Sequence, residues 1–167
     1  MTALAKDPDL KTLIEEVIPF NKLLGVKVVA ADSGAGTVVL ELPMRHDLIG
    51  NVMKAMPHGG AISALIDMAA GAAAALSLED LRDAPGVATI DMRVDYLAAG
   101  RGTNLRAKAT VMRSGRRVTV VRVDVTDDDA TLLALGTAAF SITTESHGSA
   151  LAGATAADGI GATGEEG

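Results

Sequence analysis

The sequence predicts an α+β domain in which an antiparallel sheet wraps around one long central helix. Three observations carry this expectation. From Ala61 to Leu76 the residues are Ala, Ile, Leu, Met and Gly, except Ser63 and Asp67, and a helix apolar on every side is buried on every side. One stretch of helical spacing and two strand-like stretches precede it, and four strand-like stretches with short connections follow, an order that an antiparallel sheet satisfies. With 167 residues the chain can bury one real core.

The elements follow in order. From Asp9 to Ile18, apolar residues stand at Leu10, Leu13, Ile14, Val17 and Ile18, which is helical spacing. Pro8 fits the first turn and Pro19 ends the helix, leaving Phe20 to Gly25 as a connector. Val26 to Ala31 and Thr37 to Leu42 read as strands around the turn Asp32-Ser33-Gly34-Ala35-Gly36. Pro43 stops the second, and Arg45 to Pro57 is a loop. Met53 and Met56 in that loop could line a pocket beside the helix start, or simply pack. Pro57 biases Met56 away from helical geometry, so the helix begins after it. Ser77 to Pro85 is helical or turn-like. Val87 to Leu97, Asn104 to Arg113, Val118 to Thr126 and Leu132 to Thr143 are strands, with Ser114-Gly115-Arg116 and Asp127-Asp128-Asp129 as turns. This divides the chain into an N-terminal helix and connector (1–22), a main domain (23–144) and a Gly/Ala-rich disordered tail (145–167).

Composition narrows the function. Hydrophobic residues make up 49% and charged residues 22% of the chain, the net charge is −6, and cysteine is absent. A soluble globular protein is expected, with no disulfide framework. Nucleic-acid binding is not expected of an acidic chain with three aromatic residues. Met1 to Leu13 is charged and lacks the apolar core of a secretory signal. The apolar run interrupted by Asp67 falls short of a membrane span, which makes a cytoplasmic protein the expectation. The three histidines, His46, His58 and His147, lack ligand spacing, so no metal site is expected.

Asp67 is the sharpest candidate. A carboxylate inside a buried helix is costly unless paired or used, and burial would raise its pKa toward that of a general base or nucleophile. The alternative is an Asp that bonds a backbone or Ser group and only holds the fold. Ser63, one turn earlier on the same face, is a hydrogen-bonding or packing neighbour. Gly59 and Gly60 begin the helix, where free N–H groups and the helix dipole stabilise a negative oxygen. His58 could orient a substrate, although a His at a helix start is more often a capping residue. His58 and Asp67 stand nine positions apart, about half a turn out of phase and roughly 13 Å along the axis. They cannot serve one atom within one chain. Two copies related by a two-fold axis, with antiparallel helices, would bring them together and create two equivalent sites. The small residues Ala69 to Ala75, with Gly71, would allow such helices close approach. Arg113, Arg116 and Arg117 form a local basic group that could take phosphates or be a solvated strand end.

His58-Gly59-Gly60 followed at nine positions by Asp67, with Asn51 upstream and the stretch Thr89-Ile90-Asp91-Met92-Arg93-Val94-Asp95-Tyr96-Leu97, resembles the hotdog-fold acyl-CoA thioesterases of the PaaI type, in the 4-hydroxybenzoyl-CoA thioesterase superfamily. The resemblance spans roughly Leu23 to Thr143. It implies a hotdog fold, dimers that join two sheets edge to edge, and often tetramers built as dimers of dimers. It also implies that Asp67 is the nucleophile or the base activating water, and that the Gly59 N–H polarises the thioester carbonyl from the facing subunit. Asn51 would hold that carbonyl or the attacking water, His58 would orient the site, and Thr89 would position water. The Asn lies one residue farther from the His than in the better-known members. No cofactor is implied, because coenzyme A is part of the substrate; Arg113, Arg116 and Arg117 would meet its phosphates. A non-catalytic acyl-CoA binder is the alternative. A hotdog hydratase or dehydratase would need a close Asp/His pair in a different motif, which Asp47 and His58 do not reproduce.

Overall fold

The computed structural model describes residues 9–78 and 81–143. The expected tail, including His147, lies outside them. The chain begins with α1 (Leu10–Thr12), which passes into a π-helical turn over Leu13–Val17, and continues into α2 (Pro19–Leu24). Strands β1 (Lys27–Asp32) and β2 (Thr37–Pro43) follow, then a small hairpin of β3 (Ile49–Asn51) and β4 (Met56–Pro57). The central helix α3 is Gly59–Leu76. Strands β5 (Val87–Tyr96), β6 (Asn104–Ser114), β7 (Val118–Thr126) and β8 (Leu132–Ile142) complete the fold. Six strands form one antiparallel sheet in the order β1-β2-β6-β7-β8-β5, and α3 packs against β2 and β5 to β8. This is the wrapped-sheet arrangement expected above.

The period-two pattern explains the packing. Val38, Leu40 and Leu42 of β2, Leu105, Ala107 and Ala109 of β6, and Val121, Val123 and Val125 of β7 are buried, while charged pairs such as Arg106–Glu41 and Arg122–Asp124 lie on the opposite face. Small residues lie where helix and sheet come closest. A Cβ on Gly136 of β8 would stand 2.4 Å from Ile66 Cγ2, so only glycine lets β8 pass beneath the helix.

Three expectations need correction here. First, Asp9 to Ile18 is not one helix. Asp9 is its N-cap, with Oδ1 accepting the Thr12 N–H at 2.7 Å. Pro19 holds Ile18 extended, as residues before proline prefer, but then serves as the first residue of α2, where its missing N–H costs nothing. The supposed connector is that second helix, ended by Gly25 at φ 74. Second, Arg45 to Pro57 is more ordered than a loop, holding the β3–β4 hairpin and short 3-10 turns at His46–Leu48 and Val52–Lys54; a further 3-10 turn, Leu81–Gly86, fills part of the stretch after α3. Third, α3 is long and apolar enough by length and composition to cross a membrane, yet 61% of it is buried inside the structure, which makes it the core helix. It is not buried on every side. Gly60, Ser63, Ala64, Asp67 and Gly71 remain exposed or half-buried, and their spacing puts them on one stripe.

The N-terminal segment covers part of the helix that the sheet does not reach. Leu10, Ile14 and Leu24 join the same core as α3. Polar contacts pin the segment down. Arg45 donates to the carbonyls of Leu23 and Leu24 at 2.8 and 3.0 Å, satisfying the end of α2. Glu15 accepts from the Val28 N–H at 2.8 Å and from Lys27 Nζ at 3.0 Å, beside the irregularity in β1 between Val28 and Ala30. Burial pushes the Glu15 carboxyl up, but the Val28 N–H and the Lys27 ammonium outweigh it and hold it below its ordinary value. A depressed carboxylate stabilises the fold above its unfolded pKa and loses that contribution as pH falls through the folded one. Glu15→Gln should therefore cost about 1–2 kcal/mol at neutral pH in urea unfolding. The gap from wild type should narrow below about pH 4.5, where the unfolded carboxyl takes up its proton. A gap independent of pH would contradict the assignment.

Candidate active site

The N-terminus of α3 is built from backbone constraints. His58 is the N-cap, extended at φ −68 and ψ 135, and its Nδ1 accepts the Gly60 N–H at 2.8 Å. A neutral His58 therefore carries its proton on Nε2. Its own N–H donates to Leu48 O at 2.8 Å, and its carbonyl accepts from Ala61 and Ile62. Gly50 passes so close that a Cβ there would stand 2.7 Å from His58 Cα. The Gly59 N–H has no acceptor among the described residues, and it lies at the positive end of an 18-residue helix.

Tyr96, the only tyrosine in the chain, holds this end in place. Its hydroxyl donates to Gly59 O at 3.0 Å and lies 2.6 Å from Ser63 Oγ. With the Tyr96 proton directed at Gly59, Ser63 is the donor of the second bond. Ser63 is thus a hydrogen-bonding neighbour of Tyr96.

Asp67 lies two turns along, on the open stripe. Thr89 Oγ1 donates to Asp67 Oδ1 at 2.9 Å. A bulge in β5 explains why Thr89 can reach it. The β5–β8 register shifts between Thr89 and Asp91, so Ile90 is an extra residue. Thr89 pairs with Phe140, whose side chain is buried, while Met92 and Val94 pair with Ala138 and Gly136. Without the bulge, strict alternation would turn Thr89 away from the face carrying Met92, Val94 and Tyr96. Asp67 is half-buried in the single chain, short of the enclosure expected of it, because it lies on the stripe left open by the sheet.

Asp67 and Thr89 also line a cavity of about 510 Å³. Its walls come from the N-terminal segment (Leu13, Val17, Ile18), from α3 (Gly71, Ala75) and from Phe140. A smaller cavity of about 200 Å³ adjoins His58 and Gly60, and Phe20 lines both. The N-terminal helix and connector thus reach the cavity, and the apolar spacing that continues through Val17, Ile18 and Phe20 is the sequence signal of that contact.

The other candidates are placed less centrally. Asn51 caps the turn at Val52–Lys54, its Oδ1 accepting the Lys54 N–H at 3.2 Å, and Ala55 closes that turn in a left-handed conformation at φ 49. Met53 is 94% exposed, so within one chain it is no pocket wall. Met56 is half-buried and lines neither cavity. Arg113, Arg116 and Arg117 are exposed on the β6–β7 hairpin. Ser114 of that hairpin lies 3.4 Å from Ser77 at the C-terminal end of α3, away from Gly59. Among the described residues no three His, Asp or Glu side chains gather as a metal-binding group.

His58 as N-cap gives a direct expectation. His58→Ala should destabilise the protein by about 0.5–2 kcal/mol, and His58→Asn, which can accept the same N–H, should recover most of that loss. Equal destabilisation by both in chemical unfolding would contradict the capping role.

The thioesterase superfamily model matches residues 56–134, from β4 through the helix into β8. The chain is 31% identical over 136 residues to the medium/long-chain acyl-CoA thioesterase YigI of Salmonella typhimurium, covering 75% of this chain and 86% of that protein. A solved Shewanella oneidensis protein related to the thioesterase superfamily superposes with a TM-score of 0.70 at 30% identity, covering 80% of this chain and 93% of that one. A variant of the phenylacetic acid degradation protein PaaI of Thermus thermophilus superposes with a TM-score of 0.63 at 27% identity, covering 75% and 99%. The chain belongs to the thioesterase superfamily, and its sheet wrapped around α3 is the hotdog fold.

Proposed function

We propose that this protein hydrolyses an acyl-CoA thioester to a free acid and coenzyme A, at sites shared between two copies of the chain. The observation that carries the reading is Asp67, held at Oδ1 by Thr89 on the one stripe of α3 that the protomer leaves open. The membership of the thioesterase superfamily and the naming of YigI as a medium/long-chain acyl-CoA thioesterase support the reaction class.

The spacing of the two groups along α3 supports a division of labour between two copies. Within one chain, the Gly59 N–H and the Asp67 carboxylate are eight residues apart on a helix, roughly 12 Å along its axis. A second copy with its helix antiparallel brings its Gly59 to the first copy's Asp67. The thioester carbonyl oxygen then accepts from the partner's helix end, where negative charge develops as the carbonyl carbon is attacked. Asp67 either attacks that carbon itself, giving an anhydride that water cleaves, or removes a proton from the attacking water. In both routes the carbon–sulfur bond breaks and the thiolate leaves as coenzyme A. Thr89 positions the carboxylate or the water, and Tyr96 and His58 keep the helix end in register.

Dimer formation has support in exposure. β5 is an edge strand, and Ile90, Tyr96 and Leu97 on or beside it are 58%, 54% and 53% exposed. Large apolar side chains along an open edge favour pairing with another strand. Asn51 and Met53 lie on the β3–β4 hairpin beside the helix start, where a second copy or the coenzyme would meet them. Arg113, Arg116 and Arg117 remain candidates for coenzyme A phosphates from the far end of the sheet.

Asp67→Asn should keep the fold and the dimer while lowering kcat/KM for acyl-CoA by about 10²–10⁴-fold, measured by thiol release. An unchanged rate across several acyl-CoAs would remove Asp67 from the mechanism, and tight binding of intact acyl-CoA without thiol release by the wild type would make the protein a binder.

A further inference from the structure

The geometry points to the 510 Å³ cavity as a channel for a straight aliphatic acyl chain, with its length limited by the small residues of α3 and by the N-terminal segment. The inference rests on the proposed acyl-CoA reading. It adds the class of acyl group and the residues that measure it.

Asp67 and Thr89, the groups assigned to the thioester, line the cavity, so whatever fills it lies beside the reacting carbon. The cavity extends along α3 past Gly71 and Ala72 to Ala75. Asp67 to Ala75 is eight residues, a rise of roughly 12 Å. Carbon–carbon bonds of about 1.5 Å advance an extended chain by roughly 1.25 Å each, so the channel accommodates about ten carbons. Its volume falls within the ordinary range for small-molecule pockets. Apart from Asp67, Thr89 and Asn21, its lining is apolar, as an alkyl tail requires.

Gly71 is the measuring position nearest the reacting group. It lies one turn beyond Asp67 on the same stripe, and a Cβ there would make ordinary contact with Phe140, at 3.5 Å from Cε1. A small side chain is therefore tolerated, whereas a long one must enter the channel. Val17 stands on the opposite wall and is 41% exposed, so it can be enlarged without disturbing the core helix.

The test compares Gly71→Leu and Val17→Phe with wild type in two measurements. The first is kcat/KM for decanoyl-CoA relative to butyryl-CoA by thiol release. The second is equilibrium binding of the non-hydrolysable thioethers S-decyl-CoA and S-butyl-CoA. Each methylene denied burial weakens binding roughly fourfold, so blocking several should lower the decyl-to-butyl ratio more than about tenfold in both variants. If wild type cleaves no acyl-CoA but its thioether preference shifts in this way, the reaction fails and the channel stands. If acyl-CoAs are cleaved but both ratios are unchanged in both variants, the channel is overturned while the reaction stands. The latter result, accompanied by a weaker dimer, would assign the cavity to side chains of a second copy.

Discussion

An 18-residue helix whose one charged side chain is Asp67 can exist in water only if most of its surface is covered, and much of this structure answers that requirement. The sheet covers one side. It can do so closely because alanines dominate the second half of α3 and because β8 carries Gly136 where Ile66 presses against it. Close packing of this kind gains dispersion contacts that a bulkier interface would lose. The N-terminal segment covers part of the other side, held by Arg45 on the α2 carbonyls and by Glu15 on β1.

The remaining stripe is where the chemistry gathers. Gly60, Ser63, Asp67 and Gly71 would be a poor choice for a core, since they leave polar groups and missing side chains along a helix. They are a good choice for a surface that receives a ligand and a second copy. Each polar group there is restrained by another element. Tyr96 from β5 fixes the helix end, Thr89 from the same strand fixes Asp67, and His58 closes the first turn. One edge strand therefore orients both ends of the proposed site, and the bulge at Ile90 lets Tyr96 and Thr89 face the helix together.

Much of this was legible in the sequence for a simple reason. Alternation in β2, β6, β7 and β8 reflects a sheet with one buried and one charged face, so those strands could be read to within a residue or two. The otherwise apolar run of α3, interrupted only by Ser63, made Asp67 conspicuous. What escaped was information that does not repeat. Pro19 ends one helix and starts another, and the same residue suits both roles. The Ile90 bulge changes which side chains face inward without disturbing composition. The lone Tyr96 was visible as part of a motif, but its bonds to Gly59 and Ser63 depend on how β5 lies along the helix. Total burial of α3 was overestimated because apolar composition cannot distinguish a face covered by its own chain from one left open.

The central claim is that Asp67 of one copy works with the Gly59 N–H of another, and mixing two inactive variants tests it most directly. Asp67→Asn removes the carboxylate. Gly59→Pro removes the N–H at the first helical position, where proline is well tolerated. When the two variant proteins are unfolded and refolded together, half of the randomly paired dimers are mixed and each holds one intact site of its two. The account predicts recovery of about a quarter of wild-type thiol release from two proteins that are each inactive alone. Equal mixtures that remain inactive, despite demonstrated exchange of subunits, would contradict it.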